Sequence, residues 1–184
     1  MRFVQVTILL CMLSVHIPVV AAAQTAPAHA PANPAVASAR PLYDQIKGYI
    51  LKSADQMSDA NYGFQPTPEV RTFGQIIGHL ANDQYLFCSS ALGEKNPEAR
   101  DIEKTQTTKA ALVEAIRASF TYCDRAYLMS DAAATKWQTI QGFGDRAPLS
   151  LLILNVAHDD EHYGNIVTYM RIKGMVPPSS QPSR

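Results

Sequence analysis

The chain has 184 residues, in which 16 lysine and arginine residues balance 16 aspartate and glutamate residues. A chain of this length forms one domain with a core of its own. The lack of a basic excess argues against a nucleic-acid-binding protein and against a polybasic membrane-surface protein. No glycine-rich phosphate-binding loop is present, which leaves a globular domain that binds a small molecule, a metal ion or another protein.

The first 23 residues have the pattern of a secretory signal peptide. Arg2 supplies a positive charge, residues 6–20 are mostly apolar, and three alanines at 21–23 suit cleavage. The apolar run is shorter than the roughly 20 residues of a transmembrane helix. We therefore expect a secreted or periplasmic protein without a membrane span after cleavage, and an uncleaved membrane anchor is the alternative.

The rest of the chain divides by composition. Residues 24–40 are rich in proline and alanine and lack an apolar period, so we expect a disordered tether. Residues 41–178 form the folded domain, and residues 179–184 are expected to be a flexible tail. Apolar residues recur at helical spacing in four stretches, residues 41–57, 72–87, 108–127 and 148–173.

Several signals mark the helix ends. Pro41 suits the first position of the first helix. Thr72 and Gln75 form a capping-box pattern at the start of the second, and Gly174 can end the fourth in a left-handed turn. Asp131 is expected to cap a short helix, followed by a loop over residues 141–145, and no stretch alternates like a strand. The fold class is therefore all-α, a four-helix bundle, with an irregular helical domain as the alternative.

Three histidines form a candidate metal site. Of the five histidines, one lies in the signal and one in the tether, which leaves His79, His158 and His162. His158 and His162 are four residues apart and lie on one helix face, while His79 lies at the edge of the apolar face of the second helix. Neutral imidazoles suit Zn²⁺, Ni²⁺, Fe²⁺ or Cu²⁺. We predict one divalent ion bound by all three, and hydrogen-bonded core histidines are the alternative.

Other polar residues share the face of the fourth helix that carries its two histidines. Asn155, Asn165 and Tyr169 lie on this face, which predicts the lining of a wet pocket. Residues 158–162 also match the H-x-x-E-H pattern of inverzincin proteases. No acidic residue follows Glu161 to complete the ligand set of that family.

Two acidic residues lie close enough in sequence to act at the site. Asp83 follows His79 by one helical turn, and Glu161 precedes the last histidine. We predict that both are catalytic groups that can accept a proton from water at the ion. Asp159 and Asp160 are expected to point away and to be solvated.

Cys88 and Cys123 remain after removal of the signal. An oxidising compartment permits a disulfide. In adjacent antiparallel helices, however, the two positions would lie about 15–20 Å apart along the axis, and a bridge needs Cα atoms within about 7 Å. We expect buried thiols, and a disulfide is the alternative.

The residues around the histidines resemble the DinB superfamily. The similarity lies in residues 72–82, 157–165, 169–171 and 176–178 and extends over about 41–178. The resemblance implies an antiparallel four-helix bundle with variant connectivity. It also implies a divalent metal ion held by His79, His158 and His162, and from the ligand chemistry we expect this ion to be zinc, nickel or iron.

Some DinB-like proteins are transferases that depend on mycothiol or bacillithiol, and this resemblance shapes the expected function. We expect a metal-dependent hydrolase or thiol-dependent transferase with an open coordination position and a small-molecule substrate. The alternative is a non-catalytic metal-binding or structural protein of the cell envelope, which a fourth protein ligand, Asp83 or Glu161, would favour. No nucleic-acid partner is expected, and a homodimer is left open.

Overall fold

The computed structural model describes residues 32–182, so the predicted signal peptide and residues 24–31 of the predicted tether lie outside the described residues. The described part contains α1 (Pro34–Gln56), α2 (Phe73–Leu92), α3 (Ile102–Thr105), α4 (Lys109–Cys123), α5 (Asp131–Ala134), β1 (Gln138–Ile140), β2 (Gly144–Arg146) and α6 (Pro148–Ile172). None of the helices between residues 32 and 182 is both long and apolar enough to cross a membrane.

The four long helices, α1, α2, α4 and α6, form a bundle, which confirms the predicted fold class. α2 packs against α4 and α6, and α1 packs against the same two helices. The consecutive helices α1 and α2 therefore lie diagonally across the bundle. The buried faces of all four long helices supply most of a single apolar core, which includes Tyr43, Ile50, Phe73, Leu80 and Phe120.

Two neighbouring helices of the bundle, α2 and α4, run parallel. Gly74 at the start of α2 lies against Leu112 near the start of α4. Further along both helices, Cys88 and Cys123 form a disulfide with their Cα atoms 5.2 Å apart. The expectation of two distant thiols was wrong, because it assumed that these helices are antiparallel.

α1 begins earlier than the sequence pattern predicted. It starts at Pro34, so Pro41 lies inside the helix and the predicted tether over residues 34–40 is helical. The reason is a cap supplied from another part of the chain. The carboxylate of Asp131 accepts hydrogen bonds from the backbone N–H groups of Ala35 (2.8 Å) and Val36 (3.0 Å), which satisfies donors that a helix N-terminus leaves free.

The segment after α4 also differs from the prediction. Ser130, rather than Asp131, caps the short helix α5 with its side chain. β1 and β2 then pair in an antiparallel hairpin in which Thr139 faces Asp145. Gly142 and Gly144 both adopt positive φ values, 81° and 78°, so the turn needs residues without a Cβ.

The predicted start of α2 and the predicted end of α6 agree with the structure, whereas α2 extends beyond residue 87 to Leu92 and α4 ends at Cys123, before residue 127. Thr72 and Gln75 form the capping box of α2, and Gly174 has a φ of 71° just after α6. The predicted tail is docked at its start, since the backbone N–H of Ser179 donates to the Tyr163 hydroxyl at 3.0 Å.

Candidate metal centre

The three histidines converge where α2 packs against α6. These helices run antiparallel, because His79 near the start of α2 meets His162 late in α6, while Gln84 further along α2 meets Asn155 earlier in α6. One ring nitrogen of each histidine, His158 included, lies within 4.8 Å of the other two. The predicted convergence is therefore confirmed, and the cluster can hold a metal ion.

The rings of the cluster pack edge to face. Nε2 of His79 and Nε2 of His158 are 3.3 Å apart, and the three ring centroids are separated by 4.4, 4.7 and 5.2 Å. The ring of Phe87 lies edge-on to His158 with centroids 5.6 Å apart. Phe143 of the hairpin loop packs in turn on Phe87 at 5.9 Å, so one side of the cluster has an apolar wall.

Asp83 adds a carboxylate oxygen to the cluster. Its Oδ2 lies 2.8 Å from Nε2 of His158 and 3.0 Å from Nε2 of His79. Its side chain is only 15% exposed, so bulk water does not screen these contacts strongly. The sequence pointed to Asp83 as a catalytic base or a fourth ligand, and its contacts are those of a fourth donor.

Burial lowers the pKa of two histidines of the cluster, His79 and His162. It is the main cause that lowers the pKa of His162 to about 4, and the neighbouring rings of His158 and His79 lower it further. Burial also lowers the pKa of His79, against an opposing effect of Asp83. Neutral imidazoles are the form that binds metals. Three imidazole nitrogens and one carboxylate oxygen suit a divalent metal ion such as zinc, nickel or iron.

Glu103 contacts the cluster from a segment that the sequence analysis treated as a connector. Its Oε2 lies 3.3 Å from Nδ1 of His79, and its Oε1 accepts a hydrogen bond from Nε of Arg71 at 2.9 Å. Helical periodicity gave no sign of this residue, because α3 is only four residues long. Asp101 before it, which caps α3, is the one local signal of a helix there.

The predicted polar face of α6 divides into two parts. Asn155 and Asp159 are fully buried and meet Gln84 of α2, and we call these three residues the amide layer. Gln84 donates to Asp159 Oδ1 at 2.6 Å and accepts from Asn155 Nδ2 at 3.0 Å. The expectation that Asp159 is solvated was wrong, because Gln84 of the facing helix pairs with it in the core. Asn155 is buried as well, so it does not line the predicted wet pocket.

The other part of this face lines a cavity of about 800 Å³. His162, Glu161, Asn165 and Tyr169 line it from α6, and Glu161 is exposed there. The opposite wall is the segment before α2, which Tyr169 holds by donating from its hydroxyl to the Arg71 backbone oxygen at 2.8 Å. The cavity thus reaches the cluster at His162, with Glu161 at its edge.

Fold and site together define a helical-bundle protein with a His-rich candidate metal centre between two helices. The model of the DinB superfamily matches residues 42–166 of the sequence. The chain belongs to the DinB superfamily.

Solved structures share this fold at low sequence identity. A DinB-like protein from Bacillus cereus has a TM-score of 0.66 and 18% identity, covering 77% of this chain and 95% of its own. A conserved protein from Enterococcus faecalis has a TM-score of 0.61 and 13% identity, covering 74% and 95%. A variant of the mycothiol-dependent maleylpyruvate isomerase has a TM-score of 0.58 and 17% identity, covering 71% and 60%. Comparison with curated proteins gave no match.

Proposed function

We propose that the protein is a metal-dependent enzyme in which His79, His158, His162 and Asp83 bind one divalent ion. The observation that carries the proposal is the meeting of these donors beside a cavity. Core histidines with a purely structural role would each find a separate hydrogen-bond partner, whereas two of these rings share one carboxylate oxygen, Asp83 Oδ2. When bound, the ion supplies a Lewis acid that lowers the pKa of a coordinated nucleophile.

The cavity supports an enzyme rather than a purely structural site. A fourth protein ligand was expected to favour a closed, non-catalytic centre, but the cavity reaches the cluster at His162 and is not lined by Asp83. A small polar substrate can therefore approach from the side of His162. We assign Asp83 to metal binding and Glu161 to proton transfer, since Glu161 lines the cavity and is exposed to solvent.

The nucleophile is either water or a small thiol, which gives a hydrolase or a thiol-dependent transferase. Both reactions use the same ion and the same proton acceptor. Similarity in fold to a mycothiol-dependent maleylpyruvate isomerase makes the thiol reaction the first to test. The cavity is lined by both acidic and basic side chains, among them Glu69 and Arg71, and so suits a polar substrate of mixed charge.

The test combines metal analysis with an activity screen. The purified protein is equilibrated with Zn²⁺, Ni²⁺ or Fe²⁺, its metal content is measured, and ester, amide and thiol-transfer substrates are assayed. We expect one ion per chain, and we expect Glu161→Gln to lower kcat by about 10²- to 10⁴-fold without changing metal content. Asp160→Asn, which changes an exposed neighbour, serves as the control.

Two results would count against this function. Failure to bind any of the three metals would remove the metal centre itself. Metal binding without turnover of any substrate class would favour the non-catalytic alternative.

We also propose that residues 1–23 direct secretion. The disulfide between Cys88 and Cys123 supports this proposal, because structural disulfides persist mainly in oxidising compartments. The mass of the mature protein isolated from its native host tests it, with Gln24 expected as the first residue.

A further inference from the structure

We infer that Glu103 is a positioning residue that fixes His79 in the ring orientation needed for metal binding. The inference rests on the proposed metal site. Nε2 of His79 is the nitrogen that faces His158 and Asp83, so Nε2 is the atom available to an ion. Nδ1 must then carry the proton, and the carboxylate oxygen beside this atom is Glu103 Oε2, at 3.3 Å. Such a carboxylate fixes the tautomer and raises the basicity of the ligand nitrogen.

Contacts made by a residue of α2 set the position of Glu103. Both groups of the Asn82 amide bind the start of α3: Nδ2 donates to Asp101 Oδ1 at 3.0 Å, and Oδ1 accepts from the backbone N–H of Ile102 at 2.9 Å. Asn82 therefore fixes the short helix one turn beyond His79. Glu103 follows directly in the chain, so its distance from the ring is set by these two bonds.

Gly78 permits the close approach of α3. A Cβ atom at this position would lie 2.7 Å from Cα and 3.0 Å from N of Glu103. Since these are backbone atoms, a larger residue would have to push α3 away from His79. One surface of α2 thus contacts α3 through Gly78, His79 and Asn82. Gly78 leaves room for α3, Asn82 binds its start, and His79 contacts the Glu103 carboxylate.

Arg71 holds the second oxygen of the same carboxylate. Its Nε donates to Glu103 Oε1 at 2.9 Å, which leaves Oε2 for His79. Arg71 and Glu103 both line the cavity. The pair therefore connects the wall of the cavity to one ligand of the candidate metal centre, and a change in Glu103 acts on the metal through His79 rather than by direct coordination.

The test is the affinity for Zn²⁺, measured by competition with a chromophoric chelator, for wild type, Glu103→Gln and Glu103→Ala. We expect E103A to raise the Kd about 10- to 100-fold. The Kd of E103Q should lie between those of wild type and E103A, because the amide oxygen can still accept a hydrogen bond from Nδ1–H of His79 but carries no charge. Glu69→Gln removes a charge from the same cavity without touching His79 and should leave the Kd unchanged.

A second measurement separates positioning from a general structural role. Gly78→Ala should also raise the Kd, but in the E103A background it should add no further increase, because its effect passes through Glu103. The ¹⁵N shifts of the His79 ring in the zinc-loaded protein should show a hydrogen-bonded Nδ1–H in wild type and lose that signature in E103A. Thermal unfolding in chelator reports any loss of fold independently.

Different outcomes overturn different claims. An E103A Kd equal to that of wild type, or a Gly78→Ala effect that persists fully in E103A, would end the assignment of Glu103 while leaving the metal centre intact. Failure of wild type to bind Zn²⁺, Ni²⁺ or Fe²⁺ would instead remove the proposed function, and the role of Glu103 with it.

Discussion

The interface of α2 and α6 contains two polar regions that are adjacent along both helices and differ in access to the cavity and in hydrogen bonding. The histidine cluster, formed by His79, Asp83, His158 and His162, brings its donors toward one point beside a cavity. The amide layer, formed by Gln84, Asn155 and Asp159, is buried from solvent, and hydrogen bonds join Gln84 to each of the other two residues.

The difference shows how one helix pair can separate function from stability. In the amide layer, donors of one helix find acceptors of the other, so the layer fixes the register of α2 against α6. In the histidine cluster, two rings compete for one oxygen of Asp83. Such a cluster adds little to folding without a cation, but it is held in place by the register that the amide layer sets.

The strongest test of this comparison is His158→Ala. Loss of a ligand should raise the Kd for Zn²⁺ at least about 1,000-fold, equivalent to about 4 kcal/mol. The increase in Tm that the metal gives wild type should disappear with it, while the Tm in chelator should change little. Calorimetric titration and thermal unfolding measure these effects. Thr168→Ala, at an exposed position of α6, is the control, and an unchanged Kd in H158A would contradict the assignment of the cluster.

Removal of the disulfide should have the next largest effect, on stability alone. The bridge closes a loop of 35 residues between α2 and α4, and loop entropy of this size corresponds to about 3 to 4 kcal/mol. The double substitution C88A/C123A should lower the free energy of unfolding by about this amount in urea titrations. Wild type measured with reductant is the control. Stability equal to that of oxidised wild type would show that the bridge does not form in solution.

Gln84→Leu should lower stability and largely preserve the affinity for metal, which is the opposite of the result expected for H158A. The substitution leaves Asp159 Oδ1 without its donor and removes one of the acceptors of Asn155 Nδ2, so we expect a loss of about 1 to 3 kcal/mol in the free energy of unfolding. The Kd for Zn²⁺ should rise less than tenfold. Gln45→Leu, at an exposed position of α1, should change stability by less than about 0.5 kcal/mol. A large loss of metal affinity in Q84L would mean that the two regions are not separable.

The sequence predicted the histidine cluster but not the amide layer, and the reason is physical. Periodicity places residues on a face of their own helix, which sufficed for His79 and for the His158–His162 pair. It does not say which side chain of a neighbouring helix a polar residue meets. Asp159 was therefore expected to be solvated, although Gln84 pairs with it in the core.

The errors in the fold have a related origin. The signals read from the sequence were local, such as Thr72 with Gln75 at the start of α2, and these were correct. The start of α1 depends on Asp131, which is distant in the chain. The pairing of Cys88 with Cys123 depends on the parallel direction of α2 and α4. Helix direction and caps supplied by other segments are properties of the assembled bundle, so they do not show in the pattern of one helix.

Asp159→Asn gives the smallest expected effect and the finest test of the amide layer. Burial is the main cause that raises the pKa of Asp159 well above its ordinary value, and Gln84 opposes this shift. A carboxyl group whose pKa is raised in the folded state stabilises the fold fully below its unfolded pKa of about 3.9. This stabilisation is lost as the pH rises toward the pKa of the group in the folded state. The stability of wild type should therefore decrease over this range because of Asp159.

Among the described residues, neither Asp159 Oδ2 nor Asn155 Oδ1, one turn earlier, has a hydrogen-bond partner. The amide in D159N carries no charge and offers an N–H group in place of Asp159 Oδ2. We expect D159N to equal wild type near pH 4 and to exceed it by about 1 kcal/mol at pH 7. Urea unfolding in chelator at both pH values measures the difference without a contribution from metal. Asp160→Asn removes the neighbouring exposed charge and should show no such pH dependence. If D159N is less stable than wild type at pH 7, Asp159 is ionised in the folded protein, and the amide layer holds a charge rather than a neutral acid.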